Sequence, residues 1–269
     1  MRNKICIIGL GYIGLPTASY LANRGFNVYG VDINQKVVET INRGEIHIVE
    51  PELDTFVKSA VFSGKLKAGV EPQPADVFII AVPTPFKDNF VPDISYVLSA
   101  TESISRCVKS GDLVILESTS PVGTTEKIRD TLYELRPELE GTLYFSHAPE
   151  RVLPGRIIQE LSENDRIVGG VDEASTRMTQ ELYQSFVNGK VLATDARTAE
   201  MSKLVENSYR DVNIAFANEL SIICDNLGIN VRELIYLANH HPRVNILTPG
   251  TGHICREQAD ASSLGRLSL

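Results

Sequence analysis

Over the first two-thirds of the chain, short apolar runs alternate with longer amphipathic stretches. The runs are "KICIIGLG", "NVYGVD", "DVFIIAV" (Asp76 to Val82), "DLVILES" (Asp112 to Ser118) and "TLYFSHA" (Thr142 to Ala148), and "DRIVGG" at Asp165 makes a further one. Between them, "LPTASYLANRG" and "NQKVVETINRG" carry apolar residues at helical spacing. They end at Gly25 and Gly44, where a C-cap glycine belongs. Strands that are apolar almost throughout, separated by helices, predict a parallel sheet covered on both faces.

After Asp195 the pattern changes. Neither Pro nor Gly occurs from about Ala196 to Leu227, and Met201, Leu204, Val205, Val212, Phe216, Leu220 and Ile223 recur at helical spacing. With Asp195 as N-cap and Gly228 as C′, this predicts one long helix, apolar enough to be mostly buried. A shorter helix follows from about Val231 to Asn239, stopped by His241-Pro242. The predicted class is α/β: a Rossmann-like doubly wound parallel sheet, then a long central helix and a small helical segment. Residues 1–195 form the sheet domain, 196–247 the central helical part, and 248–269 a tail of small polar residues predicted to be disordered.

Composition narrows the chemistry. The formal net charge of −8 argues against nucleic acid or an anionic membrane as partner, although a local positive pocket can still take a small phosphorylated molecule. The four cysteines, Cys6, Cys107, Cys224 and Cys255, form no CxxC pair, so neither a metal site nor a redox pair is expected. Cys6 and Cys224 read as small buried hydrophobes. No apolar stretch is long enough to span a bilayer and no secretory h-region opens the chain, so the expected setting is soluble and cytoplasmic.

"GLGYIG" places Gly9, Gly11 and Gly14 in G-x-G-x-x-G spacing directly after the first strand, with Tyr12 and Ile13 between the glycines. Glycines there allow the tight turn and close approach of a pyrophosphate to a helix N-terminus. Asp32 ends the next strand about 20 residues on, where a carboxylate binds a ribose diol and repels a 2′-phosphate, so NAD is the expected cofactor. A tight strand–helix turn without a ligand is the alternative.

Polar groups also gather where other strands should end. "AVPTPF" sets Thr84 between two prolines, and "ESTSPVGTTEK" supplies Glu117, Ser118, Thr119, Thr124 and Thr125. In a doubly wound sheet these ends face the ligand, although ordinary turns and caps use the same residues. "HAPERVLPG" adds Glu150, Arg151 and Val152 in a loop stiffened by Pro149 and Pro154, suited to a sugar or phosphate or to a surface ion pair. On the long helix Lys203, Asn207 and Arg210 share a face at i, i+4, i+7, continued by Ile214 and Asn218. Buried cations need partners, which an anionic substrate would supply.

At these residues the sequence resembles the nucleotide-sugar 6-dehydrogenases, the family of UDP-glucose and GDP-mannose dehydrogenases. The shared motifs "GLGYIGLP", "VPTP", "STSPVGTT", "PERVLPG" and "AEMSKLVENSYRDVNIAFANELS" run in family order. "NRGEIHIVEP", "AVPTPF" and "HPRVNIL" are most similar to the branch acting on UDP-N-acetyl-D-mannosamine. The resemblance implies oxidation of a sugar C6 alcohol to a carboxylate by two hydride transfers to NAD, through a cysteine-held thiohemiacetal and thioester, for surface polysaccharide synthesis. It implies Gly9, Gly11, Tyr12, Ile13, Gly14, Asp32, Thr84, Thr119 and Thr125 at the cofactor. It makes Lys203 an acid/base or oxyanion stabiliser supported by Asn207. It places Glu150, Arg151, Val152, Arg210, His241 and Arg243, with Lys203 and Asn207, at the UDP-sugar. It also implies a homodimer or higher homo-oligomer through the long helix.

The family pattern continues with a G-x-G-G-x-C segment and a second nucleotide-binding domain. Here "TGHIC" brings Cys255 without the double glycine, and "REQADASSLGRLSL" follows with no apolar strand. Cys255 is thus a displaced counterpart of the nucleophile, and the resemblance implies a C-terminally truncated or frameshifted, incomplete form of the enzyme. Two other readings are a 3-hydroxyacid dehydrogenase, which has a comparable Lys-x-x-x-Asn pair, and an inactive NAD-binding remnant.

Overall fold

The computed structural model describes residues 3–88 and 91–250. Of these, the residues up to Thr84 together with Ile94–Lys203 form one compact unit, and Pro85–Asp93 with the residues from Leu204 onward form a second.

The first unit is built on eight strands: β1 (Lys4–Ile8), β2 (Asn27–Val31), β3 (Leu66–Gly69), β4 (Val77–Ile80), β5 (Leu113–Leu116), β6 (Tyr144–His147), β7 (Arg166–Gly170) and β8 (Val191–Asp195). They lie in the order β3-β2-β1-β4-β5-β6-β7-β8. The helices are α1 (Gly14–Asn23), α2 (Gln35–Asn42), α3 (Leu53–Phe62), α4 (Ser95–Ile104), α5 (Thr124–Leu135), α6 (Ile157–Glu163) and α7 (Glu173–Gln184). The central strands alternate their side chains between two buried layers. Ile5, Ile7, Val77, Ile79, Leu113 and Ile115 belong to one apolar cluster, and Cys6, Ile8, Phe78, Ile80, Val114 and Leu116 to the other. A sheet buried on both faces explains the continuous apolar runs. The chain reverses between β1 and β4, where β1 pairs with both β2 and β4, and this crevice is where a doubly wound sheet binds ligands.

Three expectations need correction. Two short edge strands, β3 and β8, carried too few apolar residues to stand out. The sheet is not wholly parallel, because β6 and β7 run antiparallel. The intervening α6 has seven residues, about 10 Å at 1.5 Å per residue. Running antiparallel, β7 starts at the end of the sheet where β6 stopped, His147 pairing with Gly169 and Ser146 with Gly170.

The third correction concerns the long helix α8 (Ala196–Leu227), which has the predicted bounds. Asp195 caps it, its carboxylate accepting the Thr198 N–H at 2.9 Å, and Gly228 takes φ 67° after it. It is not mostly buried. Val205 is 49 % exposed, Val212 69 %, Phe216 51 % and Ile223 50 %, and only a few positions such as Ala199, Ile214, Ala217 and Cys224 are covered. Periodicity defines an apolar face but does not say that the same chain covers it.

In the second unit the helix α9 (Val231–Ala238) follows α8, its N-terminus capped by Asn230, whose side chain accepts from the Arg232 and Glu233 N–H groups. Among the described residues no helix is long and apolar enough to cross a membrane, and no group of three His, Cys, Asp or Glu could hold a metal.

Candidate active site

The glycine turn opens at the carboxyl end of β1. Gly9 has φ 94°, and a Cβ there would stand 2.5 Å from the Ala81 carbonyl oxygen at the end of β4. A Cβ on Gly14 would run into the Gly9 carbonyl, so the first turn of α1 is packed directly on the loop. At Gly11 the same construction meets nothing within 4 Å, which leaves open space where a phosphate group would lie. No side chain caps the N-terminus of α1, so the positive end of its dipole is open to an anion. Tyr12 is half exposed beside the turn and Ile13 half-buried.

Asp32, at the end of β2, braces this turn. Its Oδ2 accepts the Leu10 N–H at 3.1 Å and its Oδ1 the Asn34 N–H at 2.9 Å. The carboxylate is thus held rigid and half-exposed next to the glycine loop, and these residues fit a dinucleotide.

The next two strand ends are tied to each other. Thr84 Oγ1 donates to the Thr119 carbonyl at 2.6 Å, and Ser118 Oγ to the Val82 carbonyl at 2.6 Å. Both loops therefore present fixed backbone, with Thr84 and Thr119 half-buried. Thr125 is placed differently: it is 1 % exposed and gives both its N–H and its hydroxyl to Glu200 on α8.

Beneath the loop after β6 lies a buried charge cluster that sequence reasoning missed. Glu150 does not pair with its neighbour Arg151, as a surface ion pair would have it. Its Oε1 accepts from Arg166 Nη1 at 2.7 Å, with both side chains almost fully buried, and from the N–H groups of Arg151 (2.6 Å) and Val152 (3.1 Å). Arg151 instead reaches the Asp165 carbonyl with Nη1 at 2.9 Å.

Close by, Tyr183 on α7 donates its hydroxyl to Glu117 Oε1 at 2.5 Å. Burial, then the charge of Glu150, pushes the Glu117 carboxyl up to about 7. His147, at the end of β6, is fully buried, and both its ring nitrogens lack a partner among the described residues. Burial takes its pKa down to about 3, with the Lys203 charge adding to the effect. Lys203 is half-buried on α8 and within electrostatic reach of this imidazole. The one available signal for the cluster was Arg166, a guanidinium opening an otherwise apolar strand.

In the second unit Asn207 and Arg210 are half-buried on α8, while His241 and Arg243 are exposed after α9. The Arg243 N–H donates to His241 Nδ1 at 3.3 Å. Three asparagine side chains hold the segment that follows, each both donating and accepting. Asn213 binds the Asn245 carbonyl and Leu247 N–H, Asn239 the Ile246 carbonyl and N–H, and Asn218 the Gly250 carbonyl and N–H, all at 2.7–3.0 Å. Cys255 and the tail expectation lie outside the described residues.

Comparison with known proteins follows this geometry closely. The model of the UDP-glucose/GDP-mannose dehydrogenase family, NAD binding domain, matches residues 3–187, and that of the same family's central domain matches residues 197–258. The chain is 59 % identical over 256 residues to the NDP-N-acetyl-D-galactosaminuronic acid dehydrogenase of Ralstonia nicotianae, covering 92 % of this chain and 60 % of that protein. It is 57 % identical over 256 residues to the UDP-N-acetyl-D-mannosamine dehydrogenase of Escherichia coli, covering 92 % and 61 %. Among solved structures, the UDP-D-ManNAc dehydrogenase of Pyrococcus horikoshii matches with a TM-score of 0.88 at 48 % identity, covering 92 % of this chain and 60 % of that one. The chain thus spans about 60 % of the length of these relatives.

Proposed function

The chain belongs to the UDP-glucose/GDP-mannose dehydrogenase family, and from that membership we propose that it oxidises the C6 alcohol of UDP-N-acetyl-D-mannosamine to the uronate, for surface polysaccharide synthesis. The observation that carries this reading is the placement of the glycine turn, Asp32 and the loops bearing Thr84, Thr119 and Glu150 at the strand ends around one switch point. The relatives named for UDP-N-acetyl-D-mannosamine support the sugar, and those named for N-acetyl-D-galactosaminuronic acid define the nearest competitor.

NAD, with its pyrophosphate held at the glycine turn, would supply the hydride acceptor. The chain's own residues then hold the sugar and move its proton. Lys203 takes the C6 hydroxyl proton and afterwards faces the developing oxyanion with its ammonium, and Asn207 supports it one helical turn on. In the first unit Glu150, Arg151 and Val152 hold the sugar. In the second, Arg210, His241 and Arg243 are assigned to acyl and phosphate oxygens, for which guanidinium geometry is suited. Cys255, which comes without the family's double glycine, is a displaced counterpart of the family's thiol nucleophile. Exposed Val205, Val212 and Phe216 on α8 support a homodimer or higher oligomer, and a cytoplasmic site of action belongs to the same reading.

The test gives the purified protein NAD with each UDP-N-acetylhexosamine and follows NADH. Production with UDP-N-acetyl-D-mannosamine, lost on Lys203→Ala, supports the proposal. A preference for UDP-N-acetyl-D-galactosamine changes the sugar, and no NADH from any UDP-sugar by a protein that binds NAD overturns the dehydrogenase reading.

A further inference from the structure

From Arg151 to Ile157, every backbone donor of the loop between β6 and α6 has an acceptor, and all but one of the acceptors are carboxylates. The N–H groups of Arg151 and Val152 go to Glu150, and that of Leu153 goes to Glu160 Oε2 at 2.8 Å. Those of Gly155 and Ile157 go to Glu50, at 2.9 Å to Oε2 and 3.0 Å to Oε1. Pro154 has no N–H, and Arg156 donates to the Leu153 carbonyl at 3.1 Å. Glu150 and Glu160 belong to the loop's own flanks. Glu50 comes from more than a hundred residues earlier, out of the connection between α2 and α3, and is 5 % exposed.

The chain delivers this carboxylate from a fixed turn. Pro51 restricts the residue before it to extended backbone, and the Leu53 N–H returns to the Glu50 carbonyl at 3.3 Å. Between them Glu52 takes a left-handed conformation, φ 65°, the one positive φ among the described residues other than glycine. Such a conformation persists where surroundings impose it. Ile46, Ile48 and Leu53 pack in the apolar cluster that also holds Ile157, Ile158 and Leu161 of α6. The segment that offers the carboxylate and the helix that receives it therefore share one core. The two amides it takes stand on either side of the turn into α6, where Gly155 has φ 90°. One of them, that of Ile157, opens the helix, and no intrahelical carbonyl can reach it.

We propose that Glu50 is a positioning residue for the reaction: from outside the loop, it holds Glu150–Ile157 in the shape that receives the sugar. The proposal rests on the reading of Glu150, Arg151 and Val152 as sugar contacts. Glu150 is fixed at one end of the loop by Arg166 Nη1 at 2.7 Å, and Glu50 fixes the other end. A carboxylate with one oxygen on each of two amides sets both their separation and their direction. Without it the two N–H groups must turn to find another acceptor, and the residues between the anchors turn with them. The loop then samples several shapes, and the apparent affinity for the sugar falls with the fraction that is competent. The Glu50 contact engages neither the glycine turn nor Asp32, so NAD affinity stays as it was.

Glu50→Gln tests this, because it puts an NH2 group against one of the two N–H donors. At saturating NAD, KM for the preferred UDP-N-acetylhexosamine should rise by about tenfold or more while kcat stays within about threefold. NAD affinity by calorimetry should also stay within about threefold. A carboxylate that only supported the fold would act differently: its loss would lower the active fraction, so kcat would fall at constant KM. Glu50→Asp keeps both acceptors but sets them one methylene back. It should raise KM by a smaller factor, about threefold, so the idea stays testable if Glu50→Gln does not fold. Hydrogen exchange reads the clamp itself, and the Gly155 and Ile157 amides should exchange at least about tenfold faster in Glu50→Gln. An unchanged KM in the folded variants, or a loss confined to kcat, would overturn the positioning role and leave the dehydrogenase reading intact. No NADH from any UDP-sugar by the unsubstituted protein would overturn the reading of the loop and the positioning role with it.

Discussion

Glu200, fully buried on α8, takes both donors of Thr125: its Oε1 accepts the Thr125 N–H at 2.8 Å and the Thr125 hydroxyl at 2.7 Å. Its Oε2 accepts the Gly123 N–H at 2.6 Å. The carboxylate of one helix is therefore the N-terminal cap of another, and it fixes the loop that carries Thr119. A negative group at a helix N-terminus is favoured both by the free N–H groups and by the dipole.

Removing that carboxylate strands three donors in a buried place. An unsatisfied buried donor costs about 1–3 kcal/mol, so Glu200→Ala should lower stability by roughly 2–5 kcal/mol after partial relaxation. Urea unfolding measures this directly. The exposed neighbouring pair Arg197–Glu126, at 2.7 Å, is the contrast: Arg197→Ala should leave the urea midpoint almost where it was. Equal losses in both variants would show that Glu200 acts only as another surface charge.

Asp32 carries the choice of cofactor. Its carboxylate is fixed by Leu10 and Asn34, so it cannot swing away from a 2′-phosphate. NAD should bind at least about tenfold more tightly than NADP in calorimetry. Asp32→Ala should weaken NAD by on the order of 1–3 kcal/mol, the cost of leaving the ribose hydroxyls without their acceptor. Equal affinity of the unsubstituted protein for the two dinucleotides would remove this role.

Lys203 is the residue on which the proposed chemistry turns. Its loss should cut turnover by roughly 10²–10⁴-fold, the range for an acid/base group, with NAD affinity unchanged. Steady-state rates on UDP-N-acetyl-D-mannosamine, beside calorimetry with NAD, separate the two effects. A turnover within threefold of the unsubstituted protein's would assign Lys203 to the surface instead.

What the sequence shows and what it hides divide by distance along the chain. The bounds of α8 were legible because Asp195 and Gly228 punctuate an uninterrupted helical pattern. The glycine turn and Asp32 were legible because one strand–helix–strand unit contains them. The edge strands were not, since "LKAG" and "VLATD" mix polar and small residues at the sheet margins. Nor were the partners of the carboxylates that organise the candidate site. Glu50 meets Gly155 across 105 positions, Glu117 meets Tyr183 across 66, and Glu200 meets Thr125 across 75. Each looks like an ordinary acid until the fold brings its donors to it. The covering of α8 was hidden for another reason: an apolar stripe is the same in sequence whether it faces its own chain or a second copy.

The buried acid and the buried imidazole give stability a maximum at mildly acidic pH, and the sign follows from the direction in which each group is displaced. Glu117 has a folded pKa of about 7, raised from 4.5, first by burial and then by Glu150. Its protonated form fits the fold, so its contribution is present below 4.5 and is lost as pH rises through 7. His147 is lowered from 6.5 to about 3, mainly by burial. Its neutral form fits the fold, so its contribution is present above 6.5 and is lost as pH falls toward 3. Glu117→Gln mimics the protonated acid and keeps an acceptor for the Tyr183 hydroxyl. Its stability relative to the unsubstituted protein should rise between about pH 4.5 and 7 by on the order of 2–3 kcal/mol, since each tenfold change in an ionisation constant is worth about 1.4 kcal/mol, and then level off. His147→Phe removes the other arm, so its stability relative to the unsubstituted protein should rise as pH falls from about 6.5 to 4. Urea unfolding of all three proteins from pH 4 to 9 reads both effects. A Glu117→Gln curve that runs parallel to the unsubstituted protein through neutral pH would mean that Glu117 is ionised in the fold, and that Arg166 compensates both carboxylates of the cluster.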